Sequence, residues 1–471
     1  MASKHLGLGA NREQDVHVPY IPPEVHRMIA QYIHFSDLPH YRLVSRILSA
    51  IGAEELFSTI TFHCSSGSIA RINAIKTCPH LNRYVTTIVW DSNLWKIPNV
   101  RDLHEWRRYF HGRAFAAQQH GDAEHRKLAD TFNSLRDNQE EWERYLDRAR
   151  DEKVAKNFRN LQNMFSGFKN LCKLHILNGD LTVRHRGLEK RAEKPHPPEC
   201  TFNYWRGESL NVDGLPVYHS ERPCGYALAA IDSFGDISWR LTKLRLNSVC
   251  CKVFYGFMDG IQPLRNFSSF HLKLTVLSEP LWGRDVARWP RFYSNVLAVR
   301  NLFHHQVFMG FLVKLPELES LKLDFCGRYF DENDIGHSAP ATVGDIFDPG
   351  HTWPRLRRIS LLHADTTHEA LSSLLKRHQS TLKVLKLHAM MLEPDQNEVH
   401  ARQSHARTWT DIFDEMNEVL HLEHAKLSGY FSIKDSDVPG CNFENEQYAL
   451  AASAYLVTGG DSPLRGTKVR Q

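Results

Sequence analysis

The sequence predicts the α/β fold class, with a small helical domain near the amino end and a long region of alternating strands and helices after it. Two patterns predict this division. Between residues 21 and 57, apolar side chains recur at the spacing of amphipathic helices. From Val85 to Leu427 a shorter apolar pattern returns several times, and its alternation is typical of strands with one buried face.

The predicted domain organisation follows these patterns. Residues 18–62 form the helical domain and residues 63–457 form the strand–helix domain, which carries a helical insertion at 101–165 and a Pro-rich loop at 184–225. Residues 1–17 and 458–471 are expected to be flexible. The chain has 471 residues, of which 42% are hydrophobic, so it is long enough for more than one domain with a substantial core.

Three short helices are predicted in the helical domain. Pro22 and Pro23 lie where a first helix can begin, because a proline in the first turn loses no intrahelical hydrogen bond. Ser36 and Asp37 are predicted to cap a second helix. A cluster this small has a marginal core, so we expect its exposed apolar side to meet a partner. The first helix is expected to end near His34, the second to carry Leu38 to Val44, and the third to carry Ile47 to Phe57.

A set of motifs runs in order along the helical segment: Ile21-Pro22, Glu24-Val25, Ile29, Tyr32-Ile33, Asp37-Leu38, the run from Arg42 to Arg46, and Leu56-Phe57. In these positions the segment resembles the F-box family, in particular the form that opens many fungal proteins. Ile21 stands where the family usually has Leu, and Leu48 stands where many members have Trp, so both positions remain apolar. The alternative is that the helices only cap the following domain.

The resemblance implies that the helical domain binds a Skp-type adaptor and, through it, a cullin. The chain would then be a substrate-recognition adaptor of a cullin-RING (SCF-type) ubiquitin ligase, which brings a protein substrate close to activated ubiquitin. The alternative is a non-catalytic scaffold that binds partners without directing ubiquitination. Some of the residues implied in adaptor binding are expected instead to hold the helices together; the set is Ile21, Pro22, Val25, Ile29, Ile33, Leu38, Leu43, Val44 and Leu48.

The returning pattern of the second domain places apolar residues at the first, fourth and sixth positions of each copy. Helical stretches lie between copies, most clearly from Thr367 to Arg377 and from Trp409 to Val419. This alternation resembles the unit of leucine-rich-repeat proteins, with irregular spacing, and predicts an irregular solenoid. The alternative is an ordinary α/β core with leucine-rich strands. The copies begin at Val85, Leu171, Leu241, Phe267, Leu318, Leu356, Leu382 and Leu422.

Residues between the apolar anchors are expected to point away from the core and to form a substrate-binding face. Most of them are cations, which suits an acidic or phosphorylated ligand. The alternative is that they only keep the sheet hydrated. The predicted set is Lys173, His175, Lys243, Arg245, Lys322, Arg358, Ser360 and Lys386.

Two insertions interrupt the repeats. Residues 101–165 combine high charge with apolar side chains at helical spacing, which predicts a hairpin of long helices acting either as a brace or as a substrate arm. Residues 184–225 predict an extended loop, whose aromatic residues either anchor a partner peptide or fold back onto the domain. The aromatic residues of the loop are Tyr204, Trp205 and Tyr218.

The sequence offers little chemistry. Phosphate-binding, dinucleotide-binding, zinc-protease and serine-hydrolase motifs are absent, and His196 with Cys200 and Cys224 lacks a paired fourth ligand. We therefore expect no enzyme activity, metal or cofactor. The net charge of +4 without a basic block does not indicate nucleic acid. Nine cysteines without a CxxC pair or an apolar leader indicate a cytoplasmic or nuclear protein, and no stretch is expected to span a membrane.

Overall fold

The computed structural model describes residues 21–34, 36–63, 66–91, 102–119, 123–140, 142–143, 146, 166–177, 240–249, 266–274, 303–304, 306–325, 341–393, 408–434 and 440–464. The chain divides into two compact units, Met1–Ser58 and Thr59–Gln471. The predicted boundary at residue 62 lies too late, because Thr59 already begins a strand that pairs with its neighbour in the sheet.

The first unit contains three helices. Helix α1 begins behind Pro22 and ends at Tyr32, close to the predicted end at His34. The second helix is shorter than predicted, because Ser45 adopts an extended backbone and its side chain accepts a hydrogen bond from Leu48 N, which starts the third helix there. Asp37 precedes the second helix without making a side-chain cap bond. The bounds are α1 Pro23–Tyr32, α2 Leu38–Tyr41 and α3 Arg46–Phe57.

A small apolar core holds these helices together. Ala30 of α1, Leu38 of α2 and Ile51 of α3 are buried against one another. Arg42 fixes the turn between α2 and α3: its Nε donates to Ser49 O at 3.3 Å, and its guanidinium lies 5.9 Å from the centre of the Phe57 ring. The core of this unit therefore uses one side of each helix, as expected for a three-helix cluster of this size.

The second unit is a mixed α/β body built on a large sheet. Its helices are α4 Ser66–Thr77, α5 Pro79–Asn82, α6 Leu103–Gln118, α7 Ala123–Asp137, α8 Val307–Val313, α9 Val343–Ile346, α10 His368–Arg377, α11 Trp409–Val419 and α12 Glu446–Thr458. Its strands are β1 Thr59–His63, β2 Thr87–Asp91, β3 Lys173–Leu177, β4 Lys243–Val249, β5 Ser269–Leu274, β6 Ser320–Asp324, β7 Arg358–Leu362, β8 Asp365–Thr366, β9 Val384–His388, β10 Met391–Leu392, β11 His424–Ile433 and β12 Cys441–Phe443.

The strands follow one another across the sheet almost in chain order. The order is β1-β2-β3-β4-β5-β6-β7-β9-β11-β10-β8, and β12 pairs with β11. All neighbours along this path are parallel, whereas β12 is antiparallel to β11. Parallel neighbours need a crossover between them, which explains why helices such as α10 and α11 separate consecutive strands.

The predicted apolar pattern is confirmed as the inner face of this sheet. In every copy the last two anchors lie on a strand, and all three anchors are buried. The anchors are also in register: Leu244 of β4 pairs with Phe270 of β5, and Phe270 pairs with Leu321 of β6. On that face Phe270 packs against Phe311 of α8, with ring centres 5.3 Å apart. The pattern therefore stacks into continuous rows.

Sequence reasoning missed strand β1. Phe57, Ile60 and Phe62 have the same spacing as the other copies, but the interpretation assigned them to the helical domain. Ile60 pairs with Ile88 and Phe62 pairs with Trp90, so β1 extends the same inner rows. The spacing alone was enough to find it.

A ladder of hydrogen bonds at the amino ends of the strands keeps the rows in register. Thr242 O accepts from the backbone N–H groups of Ser268 and Ser269, and Ser268 O accepts from those of Glu319 and Ser320. The same pair of hydrogen bonds to one carbonyl oxygen recurs from Thr86 to Lys383. Each of these carbonyl groups therefore binds the backbone where the next strand begins. Paired donors on one carbonyl leave few unsatisfied polar groups where the backbone turns into the sheet.

Strand β11 ends the long sheet and begins a second short one. Its first half pairs with β9 and its second half pairs with β10. Gly429 lies between the halves with φ +73°, and a Cβ there would lie 2.9 Å from His388 Cε1. Glycine is therefore required at this bend by both backbone conformation and space.

The helices predicted from Thr367 to Arg377 and from Trp409 to Val419 are confirmed as α10 and α11. The Thr367 side chain accepts from Ala370 N at the start of α10. Thr408 and Asp411 form a reciprocal capping box at the start of α11. These caps fix the helix starts that the sequence indicates.

A carboxylate joins α10 to α11. Glu415 Oε2 accepts from Ser372 Oγ at 2.9 Å and lies 2.7 Å from His368 Nε2, while Oε1 contacts Lys376 Nζ. Burial acts to raise the pKa of Glu415, but the hydrogen bonds from Lys376 and Ser372 and the charges around it outweigh this effect, and its pKa is lowered.

The insertion forms the predicted helical hairpin in its described part. Helices α6 and α7 enclose Trp106, Phe110 and Phe132, and Trp106 Nε1 donates to Leu135 O at 2.9 Å. The buried residues of this cluster all come from the insertion itself. The choice between a brace and a substrate arm stays open.

Several predictions concern residues outside those that the structure describes. These are the ends at 1–17 and 465–471, the loop at 184–225, the end of the insertion at 147–165, and the candidate metal residues His196, Cys200 and Cys224. The tail predicted from residue 458 is described up to Leu464, whose side chain is buried. Within the described residues, no helix has the length and apolar character needed to cross a membrane.

Replacing Glu415 by Gln is expected to lower the free energy of unfolding of the second unit by about 1–3 kcal/mol at neutral pH, because a partly buried charged acceptor of several hydrogen bonds is lost. Since the folded-state pKa of Glu415 lies below its ordinary value of 4.5, its contribution is complete above that pH and is lost as the pH falls through the lowered pKa. Urea denaturation of both proteins across this range measures the difference.

The matched control is Glu418→Gln, which removes an exposed carboxylate from the same helix. It should change the free energy of unfolding by less than about 0.5 kcal/mol. An equal effect of the two substitutions, or a difference that does not shrink in acid, would contradict the role assigned to Glu415.

Candidate functional site

An exposed apolar stripe runs along α1. Val25, Met28, Ile29 and Tyr32 lie at helical spacing and are exposed, whereas Ala30 between them faces the core. Burial of one such side chain is worth roughly 1.5–3 kcal/mol, so leaving several in water carries a considerable cost in free energy. The stripe therefore has the character of a binding surface.

A second exposed apolar group lies in the same unit between α2 and α3. Leu43 is 83% exposed, Val44 is 72% exposed, and Ile47 at the start of α3 is also exposed. The turn geometry explains this exposure: Leu43 N bonds to His40 O at 3.0 Å and Val44 N bonds to Tyr41 O at 3.4 Å, after which Ser45 is extended. These two groups together are called the apolar surface of the first unit.

The predicted adaptor-binding residues divide between this surface and the interior. The exposed members are Ile21, Pro22, Val25, Ile29, Leu43 and Val44. Leu38 is fully buried and Leu48 is buried, so their side chains are not available for docking and are removed from the candidate surface. Ile33 is half-buried and packs against the core of the unit. Met28, Tyr32 and Ile47 are exposed apolar residues that the predicted set omitted.

A second candidate site lies on the outer face of the sheet. The predicted substrate-binding residues all occupy outward positions, and the parallel register gathers them into two rows. The first row contains Lys173, Lys243 and Arg358. The second row is called the basic track and consists of His175, Arg245, His271, Lys322, Ser360, Lys386 and Lys426.

Sequence reasoning missed part of this face. His271 and Lys273 on β5 and Lys426 on β11 also point outward, but they were not among the predicted residues. The rule that selected Lys173 and His175 selects His271 equally, because both strands alternate in the same way. Applying that rule to every copy would have found the complete row.

Burial and like charge act together at the centre of the basic track. Burial, reinforced by Lys322 and Arg245, lowers the pKa of His271 to about 3, so that this imidazole is neutral at physiological pH. Burial also lowers the pKa of Lys322, and the neighbouring cations Arg245, Lys273 and Lys386 lower it further while Asp324 opposes them. Several cations therefore lie close enough together at the centre of the track to act on Lys322 at once.

A chain of polar contacts crosses the strand ends next to the track. Asp324 Oδ1 lies 3.2 Å from His363 Nδ1, the rings of His363 and His388 are 4.7 Å apart, and His388 Nδ1 lies 2.9 Å from Ser428 Oγ. Burial, followed by the charge of His363, lowers the pKa of His388. A serine activated for catalysis needs a histidine oriented by the acid itself. Here the acid and the serine contact different histidines.

The described residues contain no group of three or more His, Cys, Asp or Glu side chains that could hold a metal ion. Comparison with known proteins gives no further assignment: no model of a protein family matches the chain, and no curated protein matches it. The two candidate sites therefore rest on the geometry described above.

Leu38→Ala is expected to destabilise the first unit by about 2–5 kcal/mol, because it leaves a cavity in a small core. Leu43→Ala should change stability by less than about 0.5 kcal/mol, since this side chain is already in water. Hydrogen exchange measured by mass spectrometry on peptides covering residues 23–57 of the full chain reports the difference. Faster exchange in Leu43→Ala than in Leu38→Ala would contradict the division into core and surface.

Proposed function

We propose that the chain is a substrate-recognition adaptor of a cullin-RING (SCF-type) ubiquitin ligase. The first unit binds a Skp-type adaptor, and the second unit, an irregular leucine-rich-repeat-like solenoid, binds a protein substrate. The single observation that carries the proposal is the exposure of apolar residues at the positions where the sequence resembles the F-box family, among them Val25, Ile29 and Leu43.

The apolar surface supports adaptor binding on energetic grounds. The core formed by Ala30, Leu38 and Ile51 does not include the exposed stripe on α1, so the stripe is not part of the packing that holds the three helices together. Burying this stripe in the groove of another protein would gain free energy of the order of 1.5–3 kcal/mol per large side chain. The partner is expected to offer an apolar groove, as in helix-in-groove recognition.

The sheet supports the second half of the proposal. Chain-ordered parallel strands with three buried anchors per unit suit a repeat protein, in which each unit buries its apolar edge against its neighbours. Such arrays present an extended outer face of repeated positions. Tethering a substrate on that face would raise its effective concentration near activated ubiquitin, on the order of millimolar for a suitable flexible tether.

The chain itself is proposed to have no catalytic role. The arrangement of Asp324, His363, His388 and Ser428 lacks the direct acid–histidine–serine sequence that nucleophilic catalysis uses. The proposed work of the chain is to position two other proteins, and its binding surfaces need no reactive group for that purpose.

Co-expression of the full chain with a Skp-type adaptor is expected to yield a complex that survives affinity purification. Val25→Glu combined with Leu43→Glu should reduce adaptor retention by more than about tenfold, because two charges would be buried in an apolar interface. The matched control is Leu450→Glu on α12, which places the same charge on an apolar side chain that is 63% exposed in the second unit. It should leave retention unchanged.

Failure of the unaltered chain to retain the adaptor, with residues 23–57 folded by hydrogen exchange, would refute adaptor binding. Equal loss in the Leu450→Glu control would show that retention reflects general hydrophobic adhesion and not the first unit.

The scaffold alternative makes a different prediction about ubiquitin transfer. In a reconstituted ligase containing the adaptor, a cullin, a RING protein and a charged conjugating enzyme, we expect ubiquitin transfer to lysines of the chain, because the tether holds them near the activated carboxyl group. Transfer should fall with Val25→Glu and Leu43→Glu in parallel with adaptor retention. Stable retention without any transfer would favour the scaffold.

A further inference from the structure

Three cations of the basic track, Arg245, Lys322 and Lys386, lie at a regular spacing across the sheet. Arg245 is on β4 and Lys322 is on β6, with β5 between them, and Lys386 on β9 is separated from Lys322 by β7. Because neighbouring strands lie about 4.8 Å apart, consecutive cations are separated by roughly 10 Å at the backbone. His271 and Ser360 occupy the intermediate positions and supply uncharged hydrogen-bonding groups.

Arg245 and Lys322 are half-buried and lie close enough for the charge of Arg245 to act unfavourably on Lys322. Arg245 Nε is buried without a hydrogen-bond partner within the described residues. Asp324 attracts Lys322, but its Oδ1 is 3.2 Å from His363 Nδ1. Half-buried cations that repel one another raise the free energy of the unbound protein, and an anionic ligand would remove that cost. The charge complementarity of this face is therefore toward acidic groups.

The spacing also selects a ligand geometry. A chain in the extended polyproline II conformation advances about 3.1 Å per residue with three residues per turn, so every third side chain lies on the same side, about 9 Å from the previous one. This distance is close to the separation of the cations. We propose that the basic track binds an extended acidic segment of a protein, lying across the strands, with anionic side chains at every third residue opposite Arg245, Lys322 and Lys386. That this segment belongs to a substrate rests on the proposed function.

The anionic groups can be carboxylates or phosphates, since both accept hydrogen bonds from guanidinium and ammonium groups. A phosphoserine carries more charge than a glutamate at neutral pH and offers more acceptor oxygens. The two sources share the same recognition chemistry, and probes carrying one or the other at the same positions distinguish them.

The experiment uses the full chain and fluorescent synthetic peptides of about ten residues, long enough to span the three cations. One peptide carries glutamate at every third position in a Gly-Ser-Ala background, a second carries phosphoserine at those positions, a third has the same three glutamates adjacent, and a fourth has glutamine in place of glutamate. Fluorescence anisotropy gives the Kd at salt concentrations from about 50 to about 300 mM.

We expect the spaced anionic peptides to bind more tightly than the adjacent and neutral ones, with an affinity that falls as salt rises. Arg245→Gln combined with Lys322→Gln should raise the Kd by at least about tenfold. The matched control, Lys169→Gln combined with Arg357→Gln, removes two positive charges from exposed positions outside the track and should raise the Kd by less than about twofold. Tighter binding of the phosphoserine peptide would identify phosphorylated segments as the source, and equal binding would identify constitutively acidic ones.

The proposal is overturned if no spaced peptide binds, if the neutral or adjacent peptide binds equally well, or if the control variant weakens binding as much as the track variant does. Thermal unfolding is measured for each variant. If replacing the half-buried Arg245 and Lys322 abolishes the unfolding transition, the exposed pair Lys386→Gln and Lys426→Gln is used to test the proposal. This pair is expected to raise the Kd by about fivefold or more.

The same preparations are tested for adaptor retention. Peptide binding without adaptor retention would refute the proposed ligase role and leave the acidic-segment site in place. Adaptor retention without peptide binding would refute the acidic-segment site alone.

Discussion

The second unit depends on the register between neighbouring parallel strands. A shift by one residue would turn every apolar anchor outward and every cation inward, because side chains alternate along a strand. The ladder of hydrogen bonds opposes such a shift, because each carbonyl oxygen accepts from two N–H groups that lead into the next strand. Thr242 O, for example, accepts from Ser268 and Ser269. The inner rows, in which Leu244, Phe270 and Leu321 are consecutive, oppose it by burial. The register of the strands therefore determines both which side chains form the core and which form the outer face.

That constraint explains how an irregular sequence gives a regular surface. The segments between β3 and β4 and between β5 and β6 are far longer than the segment between β7 and β9, yet the strands still meet residue against residue. Loop length costs little conformational entropy once the ends are fixed. Insertions can accumulate between strands while Arg245, Lys322 and Lys386 keep their spacing across the sheet.

The first unit follows a different principle. Its core is small, and large apolar side chains such as Met28, Tyr32 and Leu43 are outside that core. In the second unit large aromatic residues such as Trp90 and Phe270 are buried. The first unit therefore exposes large apolar side chains to water, whereas the second unit buries its large aromatic residues. The two proposed binding functions also lie on surfaces of opposite character, one apolar and one basic.

The sequence by itself determined the local elements: the anchor positions from Val85 to Leu427, the bounds of α10 and α11, and the helical hairpin of the insertion. These follow from periodicity and capping, which are properties of neighbouring residues. It did not separate Leu38 and Leu48 from Leu43 and Val44, because all four are apolar and only the packing of three helices decides which of them are buried. Nor could it place His271 between Arg245 and Lys322, or Asp324 beside His363, since these neighbours are distant in the chain and meet only through the register of the sheet.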